Sequence, residues 1–415
     1  MTPSARLQAV IDILEGLEAT AQPADRFLRD WARARRYAGS KDRAAISERT
    51  YAILRHRSSF VWRMGSGDAR ALVIASLLAE GLAADAVAGL FDGKAYGAAA
   101  LSEAERLTIA SPSSGEPPLH VRGEFPPFLE AELARAFGSA LLDEIVAMQA
   151  RAPVDLRVNS LKASRETVLE ALHAEGYSVA PTRTSPFAIR LAAGACGLER
   201  TKLFAAGAFE FQDEAAQIAA LLCAAKPGMR VLDFAAGAGG KSLALAALMQ
   251  NKGEIVAHDT SPARLRPLAA RAARAGATII HPRTPQGSFD IVLVDSPCSG
   301  TGTWRRQPEL RWRTTPDGLK SLTGLQDDLL EQGAQFVAAG GRLVYATCSV
   351  LPCENEDRIA SFLPRHADFA VLPASAVWSE AVGTEPPPGL DRFFKATPLQ
   401  TGTDGFYTAI LQRRR

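Results

Sequence analysis

The stretch from 229 to 259 restricts the fold more than any other part of the chain, because it alternates between short apolar runs and a small-residue turn. Met229 to Phe234 has the composition of a buried strand, and the small residues that follow predict a tight turn. A helix is predicted over 241–250, and the next apolar run ends at Asp259. A strand, a helix and a strand in this order predict a doubly wound α/β fold with a parallel sheet.

The turn between the first strand and the helix has the features of a ligand-binding loop. Small residues let backbone N–H groups approach a bound ligand closely. A phosphate-binding loop of the NTPase type is disfavoured, because Ala235 stands where that motif needs its first glycine. Asp259 follows the turn by roughly 20 residues, at the position where Rossmann-like folds place an acidic side chain against ribose hydroxyls. This pattern favours a nucleoside cofactor.

Two cysteines follow two later apolar runs that are rich in β-branched residues. Cys298 comes after the run that ends at Asp295, and Cys348 comes after the run that ends at Thr347. The carboxyl ends of adjacent parallel strands open into one crevice, so both thiols are predicted to face one substrate. A cysteine can also be a small buried hydrophobic residue. Their polar neighbours favour the functional interpretation for these two, whereas Cys196, Cys223 and Cys353 are expected to be structural.

Three motifs resemble the signatures of a known enzyme family. They are Asp295–Gly302 (DSPCSGTG), Ala346–Ser349 (ATCS) and Gly239–Ser242 (GGKS). In sequence, order and separation they are similar to motifs of the Sun-domain RNA cytosine-carbon-5 methyltransferases. The resemblance extends from about Ala152 to the C-terminus. DNA cytosine methyltransferases use only the proline-linked thiol, so the presence of two cysteines favours RNA as the substrate.

The resemblance implies a Rossmann-like class I methyltransferase that uses S-adenosyl-L-methionine. Cys348 matches the family's nucleophile, Cys298 matches the cysteine that assists product release, and Asp295 matches an aspartate that hydrogen-bonds the base. The implied cofactor-binding residues comprise the turn, its lysine and two acidic residues: Ala235, Ala236, Gly237, Ala238, Gly239, Gly240, Lys241, Asp259 and Asp295. The turn lacks the cysteine and the proline that are usual in this family loop.

The sequence before the methyltransferase motifs predicts two further domains. Residues 1–122 show helical periodicity and resemble a NusB-like RNA-binding domain, and residues 123–205 predict a connector helix and a small RRM-like subdomain. The methyltransferase domain is predicted over 206–415. Within 26–63, arginines alternate with aromatic residues, which suits phosphate contacts and base stacking. The same pattern also fits solvated helix faces with aromatic residues packed in the core.

Composition narrows the functional classes. The chain has 415 residues, a net charge of only +2 and five cysteines, and it shows no signal peptide, no membrane-spanning run and no metal-ligand spacing. We therefore expect a cytoplasmic monomer that needs no metal and binds no membrane. The leading hypothesis is an RNA cytosine-5 methyltransferase that acts on 16S rRNA. The alternatives are a tRNA methyltransferase, a non-catalytic RNA-binding assembly factor and, disfavoured by its incomplete glycine fingerprint, a Rossmann oxidoreductase.

Overall fold

The computed structural model describes residues 1–113, 115–192 and 197–415. These residues form two compact units by their internal contacts. The first unit is Met1–Ala131 with Trp304–Thr314, and the second is Glu132–Thr303 with Thr315–Arg415. The sequence analysis placed residues 304–314 in the methyltransferase domain, whereas the structure groups them with the helical unit. Cys196 lies outside the described residues.

The first unit is helical, as its periodicity predicts. Its helices are α1 (Pro3–Glu18), α2 (Ala24–Ala34), α3 (Ser40–Arg55), α4 (Arg57–Met64), α5 (Ala69–Ala79), α6 (Ala84–Leu90), α7 (Glu103–Ala110) and α8 (Leu119–Arg122). Thr2 and Asp68 cap α1 and α5 through their side chains, and Ser102 forms a capping box with Glu105 at α7. Ile13 and Val73 are fully buried in the core of this unit.

The connector differs from the single helix that the sequence predicts over 129–148. The structure divides it into α9 (Glu130–Phe137) and α10 (Leu141–Ala147), with a 3₁₀ turn, Gly138–Ala140, between them. Gly138 has a φ of +53°. A left-handed residue interrupts the helical hydrogen-bond ladder, and glycine adopts that conformation at little cost.

A small antiparallel subdomain follows the connector. Its elements are β1 (Val154–Val158), α11 (Arg165–Ala174), β2 (Val179–Pro181), β3 (Ala188–Leu191), α12 (Lys202–Ala205) and β4 (Phe209–Phe211). The strand order is β2-β3-β1-β4. Leu156 and Phe209 of the sheet pack with Val168 and Leu172 of α11 in one buried cluster. Alternation along β1 directs its apolar side chains to that cluster.

The larger sheet lies within residues 206–415, over which the sequence predicts the methyltransferase domain. The elements of this domain are α13 (Glu214–Leu221), β5 (Arg230–Asp233), α14 (Gly240–Leu248), β6 (Glu254–Ala257), α15 (Pro262–Leu265), α16 (Leu268–Ala275), β7 (Ile280–Pro282), β8 (Phe289–Asp295), α18 (Pro316–Gln335), β9 (Val337–Thr347), α19 (Glu356–Phe362), β10 (Phe369–Val371), α20 (Ala374–Ala381), β11 (Phe394–Ala396) and β12 (Phe406–Arg413). The helix between β8 and α18 in the chain, α17 (Glu309–Arg313), belongs to the first unit.

The order of this sheet confirms the doubly wound α/β prediction. Its strands lie in the order β10-β12-β9-β8-β5-β6-β7, and β11 pairs with β12. Strands β5 to β9 are parallel to one another, whereas β12 runs antiparallel to β9. The order in which strands are added to the sheet reverses between β5 and β8. Such folds bind ligands at this position, at the carboxyl ends of their strands.

No helix within the described ranges is both long enough and apolar enough to cross a lipid bilayer.

Candidate active site

The two strand-end cysteines meet at the carboxyl edge of the large sheet. Strands β8 and β9 are parallel, with Asp295 opposite Ala346, and this register brings the loops that follow them side by side. The Sγ atoms of Cys298 and Cys348 lie 3.4 Å apart, and both residues are partly exposed. The structure therefore brings together the two thiols that the sequence predicts to face one substrate.

The environment of Cys298 disfavours its thiolate. The hydrogen bond with Cys348 and burial raise the pKa of the Cys298 thiol well above its usual value, and the charges of Cys348 and Glu354 add to the effect. Cys298 therefore keeps its proton near neutral pH. Two thiols in contact form an arrangement that can divide proton transfer and nucleophilic attack between two residues.

The other described cysteines have environments typical of structural residues. Cys223 is fully buried in the core, and burial raises the pKa of its thiol to about 12. Burial also raises the pKa of the Cys353 thiol. Reactive cysteines have lowered pKa values in electropositive surroundings, so neither of these thiols has the features of a nucleophile.

The sequence analysis did not identify Glu354, a buried carboxylate between the two cysteine loops. Its Oε1 accepts hydrogen bonds from the Ser299 backbone N–H at 2.8 Å and from Gln326 Nε2 at 3.0 Å. Its Oε2 accepts from the hydroxyls of Ser299 and Ser349. Glu354 follows Cys348 by six positions, and nothing in its local sequence indicates burial. Only the long-range contacts reveal its place in the site.

The glycine turn and the acidic residue after β6 meet as the sequence predicts. Asp259 Oδ2 accepts from the Gly237 backbone N–H at 3.0 Å, and Asp259 Oδ1 accepts from the Ser261 N–H at 2.8 Å. Gly239 precedes α14 with a φ of +80°, and a Cβ there would lie 2.1 Å from Leu268 Cδ1. The turn thus has to be glycine at that position for both conformational and packing reasons.

These residues fit a nucleoside cofactor. The carboxylate of Asp259 is oriented toward the turn and can accept from ribose hydroxyls, and the amino end of α14 presents backbone N–H groups beside it. Asp233 lies at the end of β5, and its Oδ2 accepts a hydrogen bond from the Ser242 hydroxyl at 2.6 Å. Its other oxygen, Oδ1, is buried and has no hydrogen-bond partner. An unsatisfied buried acceptor beside the turn provides a further place for a ligand donor.

Lys241 joins this turn to the strand that leads to Cys298. Its Nζ lies 2.6 Å from Asp295 Oδ2 and 4.9 Å from the centre of the Phe406 ring. Lys241 is nearly fully buried. A buried ammonium needs a carboxylate or an aromatic face, and here it has both.

Two polar residues, one in β1 and one directly after it, are structural in this arrangement. The guanidinium of Arg157 donates to Gln212 and, at 2.7 Å, to the Gly240 carbonyl oxygen. Asn159 Nδ2 donates to the carbonyl oxygens of Gly207 and Ala275. Both side chains are buried, so they fasten the small subdomain to the methyltransferase domain.

The strand order and the site define a class I methyltransferase with two thiols at the carboxyl edge of its sheet. A family model described as 16S rRNA methyltransferase RsmB/F matches residues 220–412, and a model for the RsmF/B-like ferredoxin-like domain matches residues 125–197. The chain belongs to this RsmB/F family. The family that the three motifs predict is thus confirmed, and the second match identifies the small antiparallel subdomain as ferredoxin-like.

Curated relatives and a solved structure agree with this assignment. A "Probable ribosomal RNA small subunit methyltransferase B" of Synechocystis is 33% identical over 300 residues, which are 70% of this chain and 67% of the relative. A ribosomal RNA small subunit methyltransferase B of Pseudomonas syringae is 34% identical over 301 residues, which are 70% of this chain and 66% of the relative. The matches thus span about two thirds of these relatives' length. A methyltransferase homologue from Pyrococcus horikoshii has a TM-score of 0.61 and 28% identity, over 71% of this chain and 97% of its own.

The cofactor expected from the resemblance, S-adenosylmethionine, is that of this methyltransferase family. Across the ranges that the structure describes, no three His, Cys, Asp or Glu side chains are grouped to hold a metal ion.

Proposed function

We propose that the protein methylates carbon-5 of a cytosine in 16S rRNA. The observation that carries this proposal is the 3.4 Å distance between the Cys298 and Cys348 Sγ atoms at the ligand-binding edge of the sheet. S-adenosylmethionine supplies the methyl group. The relatives named for ribosomal RNA favour this substrate class.

Attack by Cys348 solves the main chemical problem of the reaction. Carbon-5 of cytosine is a weak nucleophile, and a thiolate that adds at carbon-6 converts the ring into an enamine whose carbon-5 is nucleophilic. Cys348 forms the S–C6 bond, and carbon-5 then takes the methyl group. The ring is now saturated at carbons 5 and 6 and is covalently bound to the enzyme. Before release, carbon-5 has to lose its proton.

Cys298 is placed to remove that proton. Two causes of its raised pKa, the hydrogen bond to Cys348 and the charge of Cys348, disappear once the Cys348 sulfur is bonded to carbon-6. Cys298 then loses its proton to solvent more readily and accepts the proton of carbon-5. The S–C6 bond breaks, the C5–C6 double bond returns, and Cys348 leaves as a thiolate. The cycle ends with the thiols as they began, with one proton released.

Asp295 and Lys241 act on the base and the cofactor turn. Asp295 stands directly after β8, three residues before Cys298, where a carboxylate can accept a hydrogen bond from the exocyclic amine of cytosine. Its ion pair with Lys241 fixes the orientation of that carboxylate. The pair therefore orients the base in the same crevice as the two thiols.

Bisulfite sequencing of total RNA from cells with and without the gene tests the proposed function. We expect one 16S rRNA cytosine to lose its protection when the gene is deleted and to regain it with the wild-type gene but not with Cys348→Ser. Loss of a tRNA cytosine instead would assign the enzyme to tRNA. An unchanged methylation pattern in all RNA would support the non-catalytic assembly factor.

A further inference from the structure

Glu354 links the two cysteine loops through one carboxylate. Ser299 directly follows Cys298, and Ser349 directly follows Cys348. Both serine hydroxyls donate to Oε2 of Glu354, and the Ser299 backbone N–H donates to Oε1. The side chain is fully buried, so each of these bonds is made without competition from water.

A third element and the backbone of Glu354 itself hold this carboxylate in place. Gln326 of α18 donates to Glu354 Oε1 and also to the Pro297 carbonyl oxygen, both at 3.0 Å. The Tyr345 hydroxyl of β9 donates to the Glu354 carbonyl oxygen at 2.6 Å. The carboxylate thus receives four donors, and every donor belongs to a cysteine loop or to the helix that contacts one. A buried carboxylate that only filled space would not connect the residues next to both thiols.

The charge of Glu354 acts in the same direction as its geometry. It is one of the causes that raise the pKa of the Cys298 thiol. A fixed negative charge beside Cys298 therefore helps to keep the release thiol protonated while Cys348 attacks.

We propose that Glu354 is a positioning residue that holds the Cys298 and Cys348 loops together and so keeps the two thiols in contact. The catalytic consequence of this role rests on the proposed function, because the contact between the thiols keeps Cys298 close enough to assist release after Cys348 has attacked. The geometric part of the proposal does not depend on any RNA.

The rate at which the two thiols form a disulfide measures their contact. Diamide takes two electrons and two protons from the thiol pair, which becomes a disulfide while the azo bond is reduced to a hydrazine. We expect Glu354→Ala to slow formation of the Cys298–Cys348 disulfide by roughly tenfold, because small displacements of reacting groups have large effects on rate. The disulfide-linked peptide pair is quantified by mass spectrometry after proteolysis. Glu354→Gln can accept at Oε1 and donate to both hydroxyls, so it should remain within about threefold of wild type.

Matched variants separate positioning from a general loss of structure. Glu356→Gln serves as the control, because its carboxylate pairs with Lys395 rather than with the loops, and it should form the disulfide at the wild-type rate. If Glu354→Ala does not fold, the double variant Ser299→Ala with Ser349→Ala removes the two hydroxyl donors and should also slow the reaction. Wild-type rates in the folded variants would overturn the proposal.

A second measurement tests the catalytic consequence. With RNA and S-adenosylmethionine, Glu354→Ala should accumulate a covalent protein–RNA complex on a denaturing gel, because Cys348 can still attack while the displaced Cys298 no longer reaches the carbon-5 proton. A variant that had merely lost structure would form no complex. If wild type and variants alike fail to methylate RNA while the disulfide rates differ, the proposed function is wrong and the positioning role stands.

Discussion

Lys241 Nζ lies 2.6 Å from Asp295 Oδ2, and this ion pair joins the cofactor turn to the strand that leads to the catalytic loop. The lysine is nearly fully buried, whereas about a third of the Asp295 side chain is exposed. One partner is shielded from water and the other is partly exposed, so the pair is a structural contact whose carboxylate also remains accessible for the proposed contact with the base.

Removing one partner of this pair should harm stability and activity together. Asp295→Ala leaves the Lys241 ammonium without its carboxylate, and we expect a loss of about 1–3 kcal/mol in the free energy of unfolding. The double variant Lys241→Met with Asp295→Ala should regain much of that stability, because it buries no charge. Both variants should be inactive. Urea unfolding and a methylation assay check this, and an active double variant would show that the carboxylate does not contact the base.

The two thiols should give opposite results when each is replaced by serine. Cys348→Ser should abolish methylation and form no adduct, because an alcohol is far less ionised than a thiol. Cys298→Ser should still attack but should remain bound to its RNA as a slowly migrating complex on a denaturing gel. That complex should require S-adenosylmethionine and should vanish in the double variant. The reverse pattern would make Cys298 the nucleophile.

Replacing Asp259 should weaken the cofactor site selectively. Asp259→Ala removes the acceptor of the Gly237 N–H bond together with the proposed ribose contact, and we expect S-adenosylmethionine to bind roughly tenfold or more weakly. Isothermal calorimetry measures this. Asp259→Asn, which keeps one acceptor oxygen, should lose less affinity, and RNA affinity should stay unchanged. Preferential binding of NAD by wild type would contradict the assignment of the cofactor.

Asp233 should make stability depend on pH. Burial raises its pKa from 3.8 to about 6. A raised folded-state pKa means that its contribution to stability is fully present below about pH 4 and is lost as the pH rises through about 6. This pH-dependent loss in the free energy of unfolding is on the order of 2–3 kcal/mol, and Asp233→Asn should abolish it. Ser242→Ala, which removes a hydrogen bond that lowers the pKa, should move the loss to higher pH. Urea unfolding between pH 4 and 8 distinguishes these outcomes.

The exposed basic surface formed by the turn between α2 and α3 and the start of α3 should contribute to RNA affinity. Arg36, Tyr37 and Lys41 are exposed, whereas Trp31 is buried in the core. Other arginines of this region form ion pairs within the unit, namely Arg29 with Asp25, Arg33 with Asp30, Arg49 with Glu80 and Arg57 with Glu18. Trp31 and these ion pairs fit the solvated-face interpretation, and Arg36, Tyr37 and Lys41 remain exposed for the predicted RNA contacts.

Arg36→Ala with Lys41→Ala should weaken RNA binding and lower the slope of log K against log salt by about 1 for each lost phosphate contact. Filter binding across a salt series measures this, with the exposed Lys94→Ala as the control. Point variants are preferable to deletion of the helical unit, because Trp312 Nε1 donates to Leu54 O and Arg313 donates to Leu17 O within that unit. An unchanged slope would favour the solvated-face interpretation.

The sequence by itself determined the class of the sheet and the chemical groups of the site. Short apolar runs and the glycine turn are local patterns, since strand periodicity and the conformational freedom of glycine act over a few residues. They predicted β5 and α14 to within a few residues. The pairing of Asp259 with the turn also follows from the sequence, because strand ends in a parallel sheet lie at one edge.

Only the tertiary structure decided how the site is held together. The 3.4 Å thiol contact, the four donors to Glu354 and the place of residues 304–314 in the helical unit all depend on residues distant in sequence. A buried carboxylate is stable only where several donors converge on it, and that convergence is created when β8, β9 and α18 pack together. No local pattern encodes such a meeting, so the sequence showed which groups react and the fold determined their distances and charges.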